Sequence, residues 1–287
     1  MLKINLAIQK SGRLTDKTWD LLSACGLDFE KRKDILKLEV KNFPINLILM
    51  RDDDIPGAIE SGICQIGICG ENVLFEKSNH DQLQILSKLG FGKCRLSIAS
   101  PKEDSYSSVQ DLQGKKIASS YPKILSSFLK NNQVDASVIE MSGSVEIAPH
   151  LEMADAICDL VSTGQTMKTH GIIEREVILK SQSILFCQND LDPAALEIAM
   201  ELVKRIQGVL KAKNLKYIMM NAPKDSLDQI SKLIPGMENP SIMTLKDTNN
   251  VAIHAVCREE IFWETMEKLK QVGASSILVM PIEKMIE

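Results

Sequence analysis

The residues best suited to do chemistry lie in Ala154-Asp-Ala-Ile-Cys-Asp-Leu-Val-Ser-Thr-Gly-Gln-Thr166. An apolar run, 156–161, leads straight into Ser162, Thr163, Gly164, Gln165 and Thr166, ahead of a predicted helix. Small hydroxyl residues around a glycine let several backbone N–H groups converge on one phosphate, and a helix N-terminus adds partial positive charge. Asp155 and Asp159 offer carboxylate oxygens of the kind that meet ribose hydroxyls or Mg²⁺. The same string also fits a buried strand followed by an ordinary capped helix.

A second cluster, Gln9-Lys10-Ser11-Gly12-Arg13, places two cations and a glycine at another strand-to-helix turn. Arg51 follows a further strand and precedes Asp52-Asp53-Asp54, where at least one acid is expected to cap the next helix. Gly70-Glu71-Asn72 and Gly92-Lys93-Cys94-Arg95 are polar clusters at strand ends, where ligands of open α/β sheets collect. The chain has no G-x-x-x-x-G-K and no G-x-G-x-x-G, so any nucleotide is bound by other means than those loops. His80, His150, His170 and His254 are isolated in sequence and are expected at the surface or in the core.

The elements that must position these clusters follow from apolar patterning. Strands are expected at 4–8, 45–50, 63–69, 94–100, 116–119, 136–140, 156–161 and 184–188, with helices between them. One helix covers 16–25 and stops at Gly26; another starts after Asp54 with Pro56 in its first turn. Such alternation predicts α/β sheets. The strand-and-turn strings at 62–70 and 153–159 echo one another, as two similar lobes around a cleft would. A long helix at 192–213 precedes a different order: strand 217–220, helix 224–233, strands 241–245 and 251–256, helix 259–272 and strand 276–280. That β-α-β-β-α-β sequence is a ferredoxin-like unit, with a domain boundary near Asn214.

Composition narrows the function. A net charge of −4 argues against nucleic acid as the main partner, while a few cations gathered in one cleft still serve small anionic ligands. No apolar run reaches membrane-span length, so no membrane partner is expected. The N-terminal residues turn polar too soon for a signal peptide, which points to the cytoplasm. Seven scattered cysteines form no disulfide framework, and the one close pair, Cys64 and Cys69, lacks the further ligands of a zinc site.

Taken together, these clusters resemble the ATP phosphoribosyltransferases, which open histidine biosynthesis. The resemblance spans essentially the whole chain and includes Leu6-Ala-Ile-Gln-Lys-Ser-Gly-Arg-Leu14, Arg51-Asp-Asp-Asp-Ile-Pro-Gly57, Gly70-Glu-Asn-Val-Leu74 and Ser142-Gly-Ser-Val-Glu-Ile-Ala-Pro149. It continues through 154–166, Arg205-Ile-Gln-Gly208, Lys216-Tyr-Ile-Met-Met220, Phe262-Trp-Glu-Thr-Met-Glu-Lys-Leu-Lys270 and Gly273-Ala-Ser-Ser-Ile-Leu-Val279. It implies an α/β fold with a two-lobed catalytic part like the type II periplasmic binding proteins and a C-terminal ferredoxin-like, ACT-like regulatory domain. Lobe I would comprise 1–98 and 180–213, lobe II 99–179, and the regulatory domain 214–287.

The resemblance also implies the ligands. ATP and phosphoribosyl pyrophosphate would bind between the lobes. Asp155, Asp159, Leu160, Val161, Ser162, Thr163, Gly164, Gln165 and Thr166 would cradle the phosphoribosyl group. Lys10, Ser11, Gly12, Arg13 and Glu71 would meet ATP, and Mg²⁺ would accompany the pyrophosphate on ligands the sequence does not identify. Adenine N1 attacks with a lone pair it already holds, so no strong base is required. The difficult charge is on the leaving group, and Lys10, Arg13, Arg51 and Arg95 are the candidate catalytic cations. Their division between ATP and pyrophosphate stays open. Histidine would bind the last domain near Asn221, Ser241, Ala274 and Ser275. Short-form members need a separate regulatory chain; this one carries its own domain, and dimers assembling into hexamers are expected. The rival reading is a two-lobed solute-binding or ligand-sensing protein, which would release no pyrophosphate from the two substrates.

Overall fold

The computed structural model describes residues 2–31, 35–162, 164–234, 240–246 and 248–286. Two compact units follow along the chain, 1–203 and 204–287. The first begins with β1 (Ile4–Gln9), α1 (Thr15–Ala24), β2 (Lys37–Glu39), β3 (Ile45–Met50), α2 (Ile55–Glu60), β4 (Ile66–Gly70), α3 (Glu71–Lys77) and β5 (Leu83–Lys88). Next come β6 (Cys94–Pro101), β7 (Lys116–Ser119), α4 (Pro122–Asn131), β8 (Ser137–Glu140), β9 (Ala156–Val161), α5 (Gln165–Thr169) and β10 (Ile172–Ser181). β11 (Ser183–Gln188) then completes the sheets of this unit.

Two mixed sheets result, and each with its helices is a lobe. The first has the order β2-β3-β1-β4-β11-β5, with β1 parallel to β3 and β4, and β11 antiparallel to both neighbours. The second has the order β10-β6-β9-β7-β8, with β7 parallel to β8 and β9. The chain leaves the first sheet after Lys88 and re-enters it at Ser183. All of β6, from Cys94 onward, pairs in the second sheet, four residues before the expected lobe boundary at 98.

Central strands are covered on both faces, which is why β1 and β4 read as near-continuous apolar runs. Ile4, Leu6, Ala7 and Ile8 are all buried, as is every residue of β4. Gly67 of β4 is set by packing: a Cβ there would stand 2.9 Å from Ile55 and 3.0 Å from the Phe186 ring. The second sheet buries Leu96, Ile98, Ile117, Ala156 and Cys158 beneath Leu125 and Leu129 of α4.

Several strands exceed the expectation. β2, β5 and the ten-residue β10 have no counterpart in the apolar patterning. β10 is an edge strand and carries Glu174, Arg175 and Glu176 within it. Polar side chains are tolerated at an edge, and two of these are consumed locally. Arg95 and Ser97 bind Glu174, while Arg175 donates to Ser100 Oγ and to the carbonyls of Pro101 and Asp104.

α6 (Pro193–Ala212) follows, with Ala195, Ala199, Leu202 and Ile206 buried at helical spacing. The second unit then runs β12 (Leu215–Pro223), α7 (Leu227–Leu233), β13 (Ser241–Thr244), β14 (Asn250–Arg258), α8 (Glu259–Gln271) and β15 (Ser275–Pro281). This is the expected β-α-β-β-α-β order, closed into an antiparallel sheet β13-β14-β12-β15. Ile218, Met220, Val251 and Ile253 face one side with Ile230 of α7 and Leu269 of α8 and form its core. The fold class is therefore α/β throughout, two-lobed in the first unit and ferredoxin-like in the second. Pro235-Gly236, a stop signal in sequence for the helix expected at 224–233, lies outside the described residues.

Candidate active site

Parallel strands put their C-terminal ends on one edge, and the polar clusters of the first lobe gather there. β1 ends in the Gln9–Arg13 turn, β3 in Arg51 and β4 in Gly70-Glu71. The first turn is built around Gly12, whose φ is +138°. A Cβ at Gly12 would lie 2.4 Å from the Gln9 side-chain nitrogen. Gln9 Oε1 in turn accepts the Leu14 N–H at 3.1 Å, and the Lys10 N–H donates to the Met50 carbonyl at 2.8 Å. The backbone is thus braced while Lys10, Ser11, Gly12 and Arg13 stay exposed.

Arg51 is exposed and extended at the start of a short 3-10 turn, Asp52–Asp54. No side-chain hydrogen bond caps that turn or α2, contrary to the capping expected of at least one of the acids; Pro56 does occupy the first turn of α2. Asp52 turns inward instead. Its Oδ1 is buried without a hydrogen-bond partner, and burial, reinforced by Asp53, raises its pKa to about 6.

In the second lobe, β7 and β9 end side by side at Ser119–Tyr121 and Ser162. Ser162 and Gln165 are exposed, Gly164 takes φ +77°, and α5 opens at Gln165. Thr163 and the side chain of Thr166 lie outside the described residues. Leu160 is half-buried and Val161 buried. Asp159 is half-buried and its Oδ1 accepts the Leu160 N–H at 2.7 Å. Burial pushes its pKa up, Glu146 adds to this, and the Leu160 hydrogen bond and the Arg13 charge oppose it. Arg13, from the first lobe, is among the charges that act on Asp159 of the second. Asn72 Nδ2 also donates across the lobes to the Tyr121 hydroxyl at 3.1 Å.

Three site candidates prove to have structural partners. Asp155 precedes β9 at the opposite end from Ser162, roughly 13 Å from Asp159 along the strand. Its carboxylate accepts the Lys116 N–H at 2.7 Å. Arg95 is the second residue of β6, beside Val161, and is held in a fork by Glu174, with a further contact to the Ser162 carbonyl at 3.5 Å. Glu71 is buried; its carboxylate accepts the Gln182 N–H at 3.0 Å and pairs with Lys88 at 3.1 Å. Three of the four histidines have local partners. His150 Nε2 meets the His170 carbonyl at 2.9 Å at the end of α5, and His254 pairs with the Tyr217 hydroxyl.

In the second unit, Asn221 and Ser275 are cross-strand partners next to buried Ala274, and Ser275 Oγ donates to the Asn221 carbonyl at 3.4 Å. Ser241 lies on β13, two strands from β12, roughly 10 Å across the sheet.

Patterning had Asn72 in its 70–72 cluster but did not single out Glu76, Ser119 or Tyr121 as site residues. The signal available for the last was Tyr121-Pro122 after the 116–119 strand, which marks a helix start on a strand end.

Comparison with known proteins agrees with this arrangement. The family model described as HisG: ATP phosphoribosyltransferase matches residues 51–208, and that of the HisG C-terminal domain matches 212–284. Among solved structures, an ATP phosphoribosyl transferase (HisG:HisZ) complex from Thermotoga maritima is similar at 27% identity and TM-score 0.61, over 72% of this chain and 97% of that one. The GluR0 ligand-binding core with L-glutamate is more distant, at 12% identity and TM-score 0.49, over 74% of this chain and 96% of that one. With both models matched in order along one polypeptide, the chain belongs to the ATP phosphoribosyltransferase family, in its long form with the C-terminal domain attached.

Proposed function

We infer that this enzyme condenses ATP with 5-phosphoribosyl 1-pyrophosphate to N1-(5-phosphoribosyl)-ATP and pyrophosphate, the first step of histidine biosynthesis. The observation that carries this reading is the pair of polar strand ends, Lys10–Arg13 after β1 and Ser162 after β9, on two lobes joined by the Asn72–Tyr121 hydrogen bond. The loop, with Thr163 and Thr166, receives the 5′-phosphate, and Asp159 meets the ribose. Lys10, Ser11, Gly12 and Arg13 receive ATP, with Arg51 as a further exposed cation on the same edge. Arg95 acts from its fork with Glu174, oriented at the base of the phosphate loop.

No group of three His, Cys, Asp or Glu side chains suited to a metal occurs among the described residues. Mg²⁺ keeps water and phosphate oxygens as most of its ligands, so an ion arriving with pyrophosphate would ask few from the protein. When bound, Mg²⁺ would neutralise charge on the departing pyrophosphate.

The second unit takes histidine at Asn221, Ala274 and Ser275 and inhibits the first; Ser241 joins only if the ligand reaches across β14. Assembly from dimers to hexamers and a cytoplasmic location belong to the same proposal. Seven free cysteines, six of them buried, suit a reducing compartment. The test is pyrophosphate release: it should require both ATP and phosphoribosyl pyrophosphate and fall on adding histidine. Release with either substrate alone, or none with both, overturns the reading.

A further inference from the structure

Helix α4 of the second lobe begins with Pro122, which has no N–H, so Lys123 and Ile124 carry its first orphan donors. Its own N-cap, Tyr121, supplies no side-chain acceptor. The acceptor comes from the other lobe. Glu76, on α3, is buried and takes the Lys123 N–H on one oxygen at 2.9 Å and the Ile124 N–H on the other at 3.0 Å. A carboxylate at a helix N-terminus is also favoured by the helix dipole. The contact is reciprocal, since Lys123 Nζ donates to the Ser78 carbonyl at the end of α3.

The same short helix holds the chain crossings. The Glu71 N–H donates to the Gln182 carbonyl while its carboxylate accepts the Gln182 N–H, and Lys88, the last residue before the outward crossing, pairs with it. Asn72 exchanges hydrogen bonds with Ser181 and reaches Tyr121. α3 therefore fastens the second lobe at its crossings and, five residues on, at the start of α4.

We propose that Glu76 is a positioning residue for phosphoribosyl transfer: by capping α4 across the lobes, it fixes the distance between the ATP turn at Lys10–Arg13 and the phosphate loop at Ser162–Thr166. This rests on the reaction proposed above. Glu76 acts through α4 and touches neither substrate. Its loss leaves each half-site intact but lets the reacting atoms drift, and about 1 Å of drift costs up to 100-fold in rate.

The experiment is a comparison of Glu76→Ala and Glu76→Gln with the parent enzyme. Each ligand is titrated alone by calorimetry, and both are varied in steady-state turnover. Glu76→Ala should lower kcat by about 10–100-fold while single-ligand affinities change by less than about twofold. Glu76→Gln keeps one acceptor oxygen and should recover part of the loss. Parent-like kcat in folded Glu76→Ala overturns the proposal, as does a loss confined to the KM of one substrate. If Glu76→Ala does not fold, Glu76→Gln decides, because it keeps the side chain's size while replacing one of the two acceptor oxygens with an NH2 group that cannot accept. Reduced kcat with intact single-ligand affinities supports the proposal; parent-like kcat overturns it. Absence of pyrophosphate release in the parent enzyme would instead sink the underlying reaction.

Discussion

Arg95 and Glu174 lie 79 residues apart in sequence and form a two-pronged ion pair across β6 and β10, with the Arg95 guanidinium also facing the Ser162 carbonyl. The Arg95 hydrogen bond holds the Glu174 carboxyl below its ordinary range, and Ser97 adds to this. A depressed folded pKa contributes stability above the unfolded value of about 4.3 that is lost as pH falls through the folded pKa. Because both side chains are partly exposed, Glu174→Gln should cost only about 1 kcal/mol near pH 7, and less at an acidic pH below the folded pKa. Urea midpoints at the two pH values check this. The same variant releases Arg95 from its fork, so turnover should change with it.

Gly164 tests the phosphate loop. With φ at +77° and, among the described residues, only Val161 within 4 Å, at 3.7 Å, a methyl group fits but the backbone is strained. Gly164→Ala should cost about 1–2 kcal/mol of local strain. Affinity for phosphoribosyl pyrophosphate should fall roughly tenfold, one such increment of free energy. ATP affinity should hardly change. Equal weakening of both ligands in separate titrations would remove the loop from the phosphoribosyl site.

Asp52 gives the opposite pH signature to Glu174. Its folded pKa of about 6 lies above the unfolded value, so the folded state holds the proton more tightly between about pH 4 and pH 6. Stability attributable to Asp52 therefore declines as pH rises through that window, by up to about 3 kcal/mol. Asp52→Asn should flatten the decline and raise the melting temperature at pH 8. A variant that melts lower at pH 8 than the parent would show that the buried carboxylate has a partner in solution.

Histidine recognition separates by strand. Asn221 and Ser275 are paired neighbours on β12 and β15, whereas Ser241 is two strands removed. Asn221→Leu should abolish the heat of histidine binding in calorimetry, and Ser241→Ala should reduce it by less than about threefold, under 1 kcal/mol. The reverse ranking would move the ligand to β13.

Local patterning reached far into this molecule. The bounds of β3, β7 and β9 follow from compact apolar runs that must be buried on both faces. α6 follows from apolar residues at helical spacing, and the β-α-β-β-α-β order of the second unit from alternation alone. The phosphate-loop string and the cation turn at Gly12 were legible because a strand end, a glycine and hydroxyl or cationic side chains are adjacent in sequence. What only the tertiary structure decided was the assignment of each charge. Asp155 and Asp159 look equivalent four residues apart, yet a strand carries them to different places. Glu71 looks like a ligand contact but serves Gln182, 111 residues away. The acceptor for the first N–H groups of α4 is Glu76, 47 residues upstream in the other lobe. β10 escaped patterning because its polar side chains find partners on β6 that no local window contains. Apolar periodicity records which face of an element is buried, whereas the partner of a carboxylate is set by chain crossings that bring distant residues together.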